Sequence, residues 1–248
     1  MFYLTLPSNS SLECYPNNTL THYFTQLARP MDLEGPWEVG LVEIQYPHSW
    51  YNVQEKEVWY VMRTESEGTR YRFHLKSGFY PTGGKLIKAL NSIKELVTNQ
   101  EKVLFLYDDI TKQATIDVDY RADVELSPML QEMLGMEERK YVHGRHEGQR
   151  VVDTDRGFHA LYVYCDLLEP RPVGNSLVPL LRIIPIRGKD GDIITKTYEN
   201  VHYLPIQKKH FDAVEIDIRS DTGKKVPFER GKVIVTLHFR KKRLLPSF

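Results

Sequence analysis

The chain has 248 residues, and its 33 Lys and Arg cancel its 33 Asp and Glu, so the formal net charge is zero. That balance excludes a partner bound chiefly by bulk charge, because a protein that neutralises many phosphates carries a basic excess. An apolar share of 41% is ordinary for a globular protein and excludes a disordered or collagen-like chain.

Strand signals open the chain at residues 2–6 and 22–27. In Trp37-Glu38-Val39-Gly40-Leu41-Val42-Glu43-Ile44 the odd positions alternate with Glu38, Gly40 and Val42, which predicts a strand with one wetter face. Alternating runs at 57–63 and 69–75 flank Glu65-Ser66-Glu67-Gly68, a predicted hairpin loop. The period then changes. Leu86, Ile87, Leu90, Ile93 and Val97 recur at helical spacing after Pro81-Thr82-Gly83-Gly84, predicting an amphipathic helix of about four turns. A hairpin is expected over 103–107 and 113–118, turning at 108–112. Ser127 as N-cap, Pro128 in the first turn and Gly135 at the exit predict a short helix over 129–134. Residues 136–157, mixed in charge and without periodicity, read as a long surface loop. Its part 137–150 is expected to be the most mobile, cut first by trypsin at Arg139, Lys140, Arg145 or Arg150. Strands return at 159–167, 180–186, 193–203, 213–218 and 232–240, with turns at Gly188-Lys189-Asp190-Gly191 and Ser220-Asp221-Thr222-Gly223.

Many strands, two mid-chain helices and 3 Trp, 15 Tyr and 10 Phe predict an all-β fold. The architecture expected is a single jelly-roll β-sandwich domain over 1–248 with a mid-chain α/β insertion at about 78–157. A sandwich has no room for a helix between its facing sheets, so the helical part must be inserted outside them. Cys14 and Cys165 lie in dissimilar contexts, which predicts no disulfide framework and a reducing compartment. No run has the apolar length of a membrane span, and Pro7-Ser8-Asn9-Ser10-Ser11 directly after residues 1–6 predicts no signal peptide. The sequons at Asn9 and Asn17 are then expected to stay unglycosylated, and no membrane partner is expected.

Chemistry-bearing motifs are sparse. Asp221-Thr222-Gly223 matches the core of an aspartic-protease motif, but Ser220 before it and Lys224-Lys225 after it are the flanks of a hairpin turn. His143 and His146, with Glu147 beside them, offer two imidazoles but lack further ligands, and read as a solvated pair. Cys165 within Leu161-Tyr162-Val163-Tyr164-Cys165 reads as a buried small hydrophobe rather than a nucleophile. There is no Walker loop, dinucleotide-binding glycine pattern or nucleophile elbow, so the expectation is no enzyme, no cofactor and no metal. The dense basic run Arg240-Lys241-Lys242-Arg243 suits nucleic-acid or capsid contact, a nuclear import signal, or a solvated strand end guarding an edge. Trp50-Tyr51 and Trp59-Tyr60 suit either sugar stacking or core packing and subunit contact.

Several stretches carry a resemblance. At the N-terminal end they are Phe2-Tyr3-Leu4-Thr5-Leu6-Pro7-Ser8-Asn9-Ser10-Ser11 and Trp37-Glu38-Val39-Gly40-Leu41-Val42-Glu43-Ile44-Gln45-Tyr46-Pro47. Toward the C-terminus they are Tyr162-Val163-Tyr164-Cys165-Asp166, Val173-Gly174-Asn175, Pro179-Leu180-Leu181-Arg182, Phe211-Asp212-Ala213-Val214-Glu215-Ile216-Asp217-Ile218-Arg219 and Thr236-Leu237-His238-Phe239-Arg240. Together they resemble the minor capsid (penton) protein of the Polinton, or Maverick, elements, virus-like self-synthesising DNA transposons of eukaryotes. Residues 53–157 match that family only in their pattern of helices and strands.

The resemblance implies a jelly roll of about this length that forms a homopentamer at the vertices of an icosahedral virion, beside a double-jelly-roll major capsid protein. It names no catalytic residue. On this reading the tails, 1–18 and 240–248, lie at the base of the subunit, where the basic run is in reach of capsid partners or packaged DNA. The competing reading is a monomeric β-sandwich module that binds carbohydrate or another ligand, because this fold hosts many functions.

Overall fold

The computed structural model describes residues 1–54, 56–64, 70–95 and 103–242; the expected loop at 65–68, Val97 of the helical stripe and Arg243 of the basic run lie outside them. Contacts divide the chain into two compact units, Met1–Trp50 with Phe158–Phe248, and Tyr51–Gly157. The first unit opens with β1 (Phe2–Pro7), β2 (His22–Asp32) and β3 (Trp37–Pro47). The second holds β4 (Trp59–Thr64), β5 (Arg70–His74), α1 (Gly83–Glu95), β6 (Val103–Tyr107), β7 (Gln113–Val118), β8 (Ala122–Leu126), α2 (Pro128–Leu134), β9 (Lys140–Tyr141) and β10 (Gly144–Val151). The chain then returns to the first unit with β11 (Ala160–Cys165), β12 (Arg171–Val173), β13 (Ser176–Val178), β14 (Leu180–Pro185), β15 (Ile193–Thr197), β16 (Leu204–Pro205), β17 (His210–Arg219) and β18 (Ile234–Lys241).

In the first unit the pairing is nested: β1 with β18, β2 with β17, β3 with β15 and β11 with β14, all antiparallel. First strand meets last, second meets last but one, and so on inward, which is the connectivity of a jelly roll. The two resulting sheets run β1-β18-β3-β15 and β14-β11-β17-β2, and β12 and β13 form a separate hairpin. Alternation turns one face of each sheet into a shared core. Leu6, Val39, Leu41, Ile44, Val235, Leu237 and Phe239 come from the first sheet, and Tyr23, Leu161, Val163, Ile184, Val214, Ile216 and Ile218 from the second. The buried Tyr23 hydroxyl donates across to the Leu6 carbonyl at 3.1 Å, meeting the hydrogen-bond demand that burial imposes.

β3 carries a bulge. Thr236 faces Glu43 but Leu237 faces Leu41, so Val42 is the extra residue. The inward phase therefore switches from Val39 and Leu41 to Ile44 and Tyr46, and the alternation read from Trp37 onward holds only as far as Leu41. The wetter face is also partly covered: a methyl group on Gly40 would strike Val201 Cγ1 and lie 2.8 Å from the His202 carbonyl oxygen. The expected strand 193–203 is accordingly shorter. β15 stops at Thr197, and the following residues cross the outer face of the sheet over Gly40.

The second unit has its own core, built from Tyr60, Phe73, Leu86, Leu90, Phe105, Ile116, Leu130 and their neighbours. Its sheets run β5-β4-β8-β9 and β10-β7-β6. α1 turns Leu86 and Leu90 inward as its period requires, and the Asn91 side chain pairs with both backbone groups of Phe105, at 2.8 and 3.1 Å. α2 has the expected ends: the Ser127 side chain accepts from Leu130 N, and Gly135 takes φ 68°.

The surface loop expected at 136–157 is corrected, because β9 and β10 lie within it and β10 pairs with β7. β10 is an edge strand whose single buried residue is Gly148, so it carries no apolar alternation to read. Arg145 and Arg150 thus sit on a hydrogen-bonded strand rather than in a loose loop. The unit itself begins at Tyr51, ahead of the expected 78, because β4 pairs with both β5 and β8. The architecture is an all-β jelly-roll sandwich with an α/β unit in mid-chain.

Candidate interaction surfaces

The basic run begins in the last pairs of β18 with β3, where Arg240 faces Glu38 and Lys241 faces Trp37. Arg240 is already engaged: its Nε donates to Glu38 Oε2 at 3.1 Å, and its guanidinium lies 3.4 Å from the centre of the Tyr203 ring. Lys241 Nζ is 5.9 Å from the Trp37 ring, and the Lys242 amide donates to the Pro36 carbonyl at 2.9 Å. Arg240 therefore closes a strand end, and Lys241 and Lys242 are exposed.

The other motifs resolve into local structure. Asp221-Thr222-Gly223 is a turn in which Ser220 and Lys224 are bridged and Gly223 takes φ 76°. Asp221 Oδ1 accepts from the neighbouring Thr222 amide, at 2.9 Å. His146 Nε2 is occupied by the Val142 carbonyl at 2.8 Å, and no metal-holding group of side chains occurs among the described residues. Cys165 is buried, and that burial pushes its thiol up to about 12, which leaves no thiolate at neutral pH. Trp50 is buried against His48, Phe158 and Phe228, Tyr60 is buried in the second core, and Trp59 lies under the Arg72 guanidinium at 4.2 Å.

One concave surface stands out on the first unit. Alternation along β1 and β18 sends Tyr3, Thr236 and His238 away from the core, and the segment after β15 crosses the same face. Between them lies a groove of about 460 Å³ lined by Tyr3, Glu43, Thr197, Tyr198, Glu199, Tyr203, Thr236 and His238, with Val42 and Val201. Its polar groups are partly tied together. The Tyr203 hydroxyl meets His238 Nδ1 at 2.6 Å, Thr197 Oγ1 donates to Glu43 Oε2 at 3.3 Å, and the Tyr3 ring lies 4.5 Å from the His238 ring. Nothing in the sequence announced this site, since its residues come from four separated segments.

No family model and no curated protein matches the chain. Among solved structures, the crystal structure of the mavirus penton protein is similar, with a TM-score of 0.51 and 9% sequence identity. The similarity covers 97% of this chain and 99% of that chain. At this identity the likeness establishes the fold.

Proposed function

We propose that this chain is a structural capsid subunit, a penton-type protein that forms a homopentamer at the vertices of an icosahedral virion. The observation that carries the reading is the end-to-end similarity to the mavirus penton protein, 97% of one chain over 99% of the other, which takes in the mid-chain unit as well as the jelly roll. The family resemblance of both ends of the sequence to Polinton penton proteins supports it independently. A shell subunit works through its interfaces, and heterologous contacts that close on themselves give cyclic symmetry. On this reading Tyr51–Gly157 is an insertion between the third and fourth strands of one jelly-roll domain. The shell partner is a double-jelly-roll major capsid protein, and Lys241, Lys242 and Arg243 contact that partner or packaged DNA, with Arg240 holding the strand end. No catalytic step is assigned to the chain.

Five copies of a 29.0 kDa chain weigh about 145 kDa. Native mass spectrometry of the purified protein, alone and co-expressed with a double-jelly-roll capsid protein, is expected to give that mass or incorporation into particles. Monomer in both settings overturns the reading.

A further inference from the structure

We propose that the groove on the outer face of the β1-β18-β3 sheet binds a neutral saccharide. The inference stands on the first unit alone and does not depend on the capsid reading. Its volume, about 460 Å³, falls within the roughly 300–1,000 Å³ of small-ligand sites. Its floor holds an unmet hydrogen bond: His238 is 8% exposed, its Nδ1 is taken by Tyr203, and its buried Nε2 has no partner among the described residues. A buried polar atom left in that state costs about 1–3 kcal/mol, so a ligand that supplies the missing bond is favoured.

The chemistry of that ligand follows from the groups around the groove. Burial, the N-terminal ammonium and Arg240 hold the His238 imidazole below the ordinary histidine range, so the ring is neutral at pH 7. A neutral imidazole presents at Nε2 either a donor or an acceptor, depending on the direction of its bond with Tyr203. A hydroxyl satisfies Nε2 in both cases, whereas an ammonium can only donate. Glu43 and Glu199 line the same groove and accept hydrogen bonds, while the N-terminal ammonium and Arg240 act on His238, so charges of both signs border the site and a hydroxyl-rich ligand without net charge suits it. Tyr3, 66% exposed and with its ring 4.5 Å from that of His238, offers an aromatic face to the C–H surface of a pyranose. A polyhydroxylated, uncharged ring meets all three demands.

The test is NMR titration of the full chain with lactose, cellobiose and chitobiose, with 3′-sialyllactose as an anionic comparator and trilysine as a cationic one. At least one neutral disaccharide is expected to give saturable shifts at Tyr3, Tyr203 and His238 below about 20 mM. Tyr3→Ala and Glu199→Gln, both at the protein surface and checked for an unchanged spectrum elsewhere, are each expected to weaken that binding about tenfold. Absence of saturable shifts with every neutral sugar overturns the proposal. So do shifts that survive both substitutions, a preference for sialyllactose, or a response to trilysine alone, which reassigns the groove to a partner's cationic side chain.

Discussion

Gly40 and Cys165 show how single positions in the jelly roll are fixed by what lies against them. Gly40 is required because a segment crosses the sheet at van der Waals distance, so Gly40→Ala forces Val201 and His202 outward. A loss of about 1–3 kcal/mol in denaturant-determined stability is expected. The two cysteines make an opposite pair: Cys14 is exposed, while Cys165 is buried with its thiol pushed up to about 12. Iodoacetamide at neutral pH should therefore label one thiol per native chain, and peptide mapping should find it at Cys14. Labelling of Cys165 at a comparable rate would mean that the core opens far more readily than its packing implies. The buried nature of Cys165 was legible from its apolar neighbours. The groove was not, because His238 gains its meaning only from Tyr3 and Tyr203, far away in sequence, and no spacing rule connects the three.

Among the elements, those whose side chains divide into wet and dry faces were readable, and those wet on nearly every side were not. α1 declared itself through Leu86 and Leu90, and α2 through its Ser, Pro and Gly ends, whereas β10 exposes almost every side chain and carried no period. β8, Ala122-Asp123-Val124-Glu125-Leu126, does alternate buried and half-buried residues, but it is short and falls between two stronger signals. Ser127 ties two of these elements together. Its hydroxyl accepts from the Leu130 amide at 3.2 Å and from the Trp59 amide at 3.1 Å, so it caps α2 and secures the start of β4. Ser127→Ala leaves both amides short of a partner in a fully buried place, and a loss of about 2–3 kcal/mol is expected by chemical denaturation. β4 and β8 are also joined by charge: Arg63 donates to Glu125 at 2.7 Å and to Asp123 at 3.2 Å. The Arg63 hydrogen bond, with the charges of Arg63 and Arg139, holds the Glu125 carboxyl below its ordinary range. A folded-state value lowered in this way stabilises above the unfolded carboxylate range, about 4.3, and the gain disappears as pH falls through the folded value. Glu125→Gln should accordingly cost about 0.5–1 kcal/mol at pH 7 and nothing at about pH 2, and a melting series across pH reads the difference.

For the whole molecule, the jelly roll and the mid-chain unit have separate cores, and the connection between them is open to a direct test. All eight strands of the nested pairing belong to the first unit, so none of its ladders needs a residue from Tyr51–Gly157. The two ends that an excision would leave are neighbours: the Trp50 and Phe158 rings lie 5.3 Å apart, centre to centre, inside the first core. A short Gly-Ser linker replacing Tyr51–Gly157 therefore spans a small gap at little loop-closure cost, the usual condition for a tolerated insertion or deletion. The shortened chain is expected to unfold in one cooperative step, keep a β-rich circular dichroism spectrum and leave Cys165 unlabelled. Loss of cooperativity, or rapid labelling of Cys165, would show that the jelly roll depends on the inserted unit for its stability. The same chain separates two sources of assembly. On the pentamer proposed above, retention of its mass, scaled to the shorter chain, assigns the subunit interface to the jelly roll. On the same proposal a folded monomer assigns it to Tyr51–Gly157, whose β6 exposes the Leu104 and Leu106 side chains for such a contact.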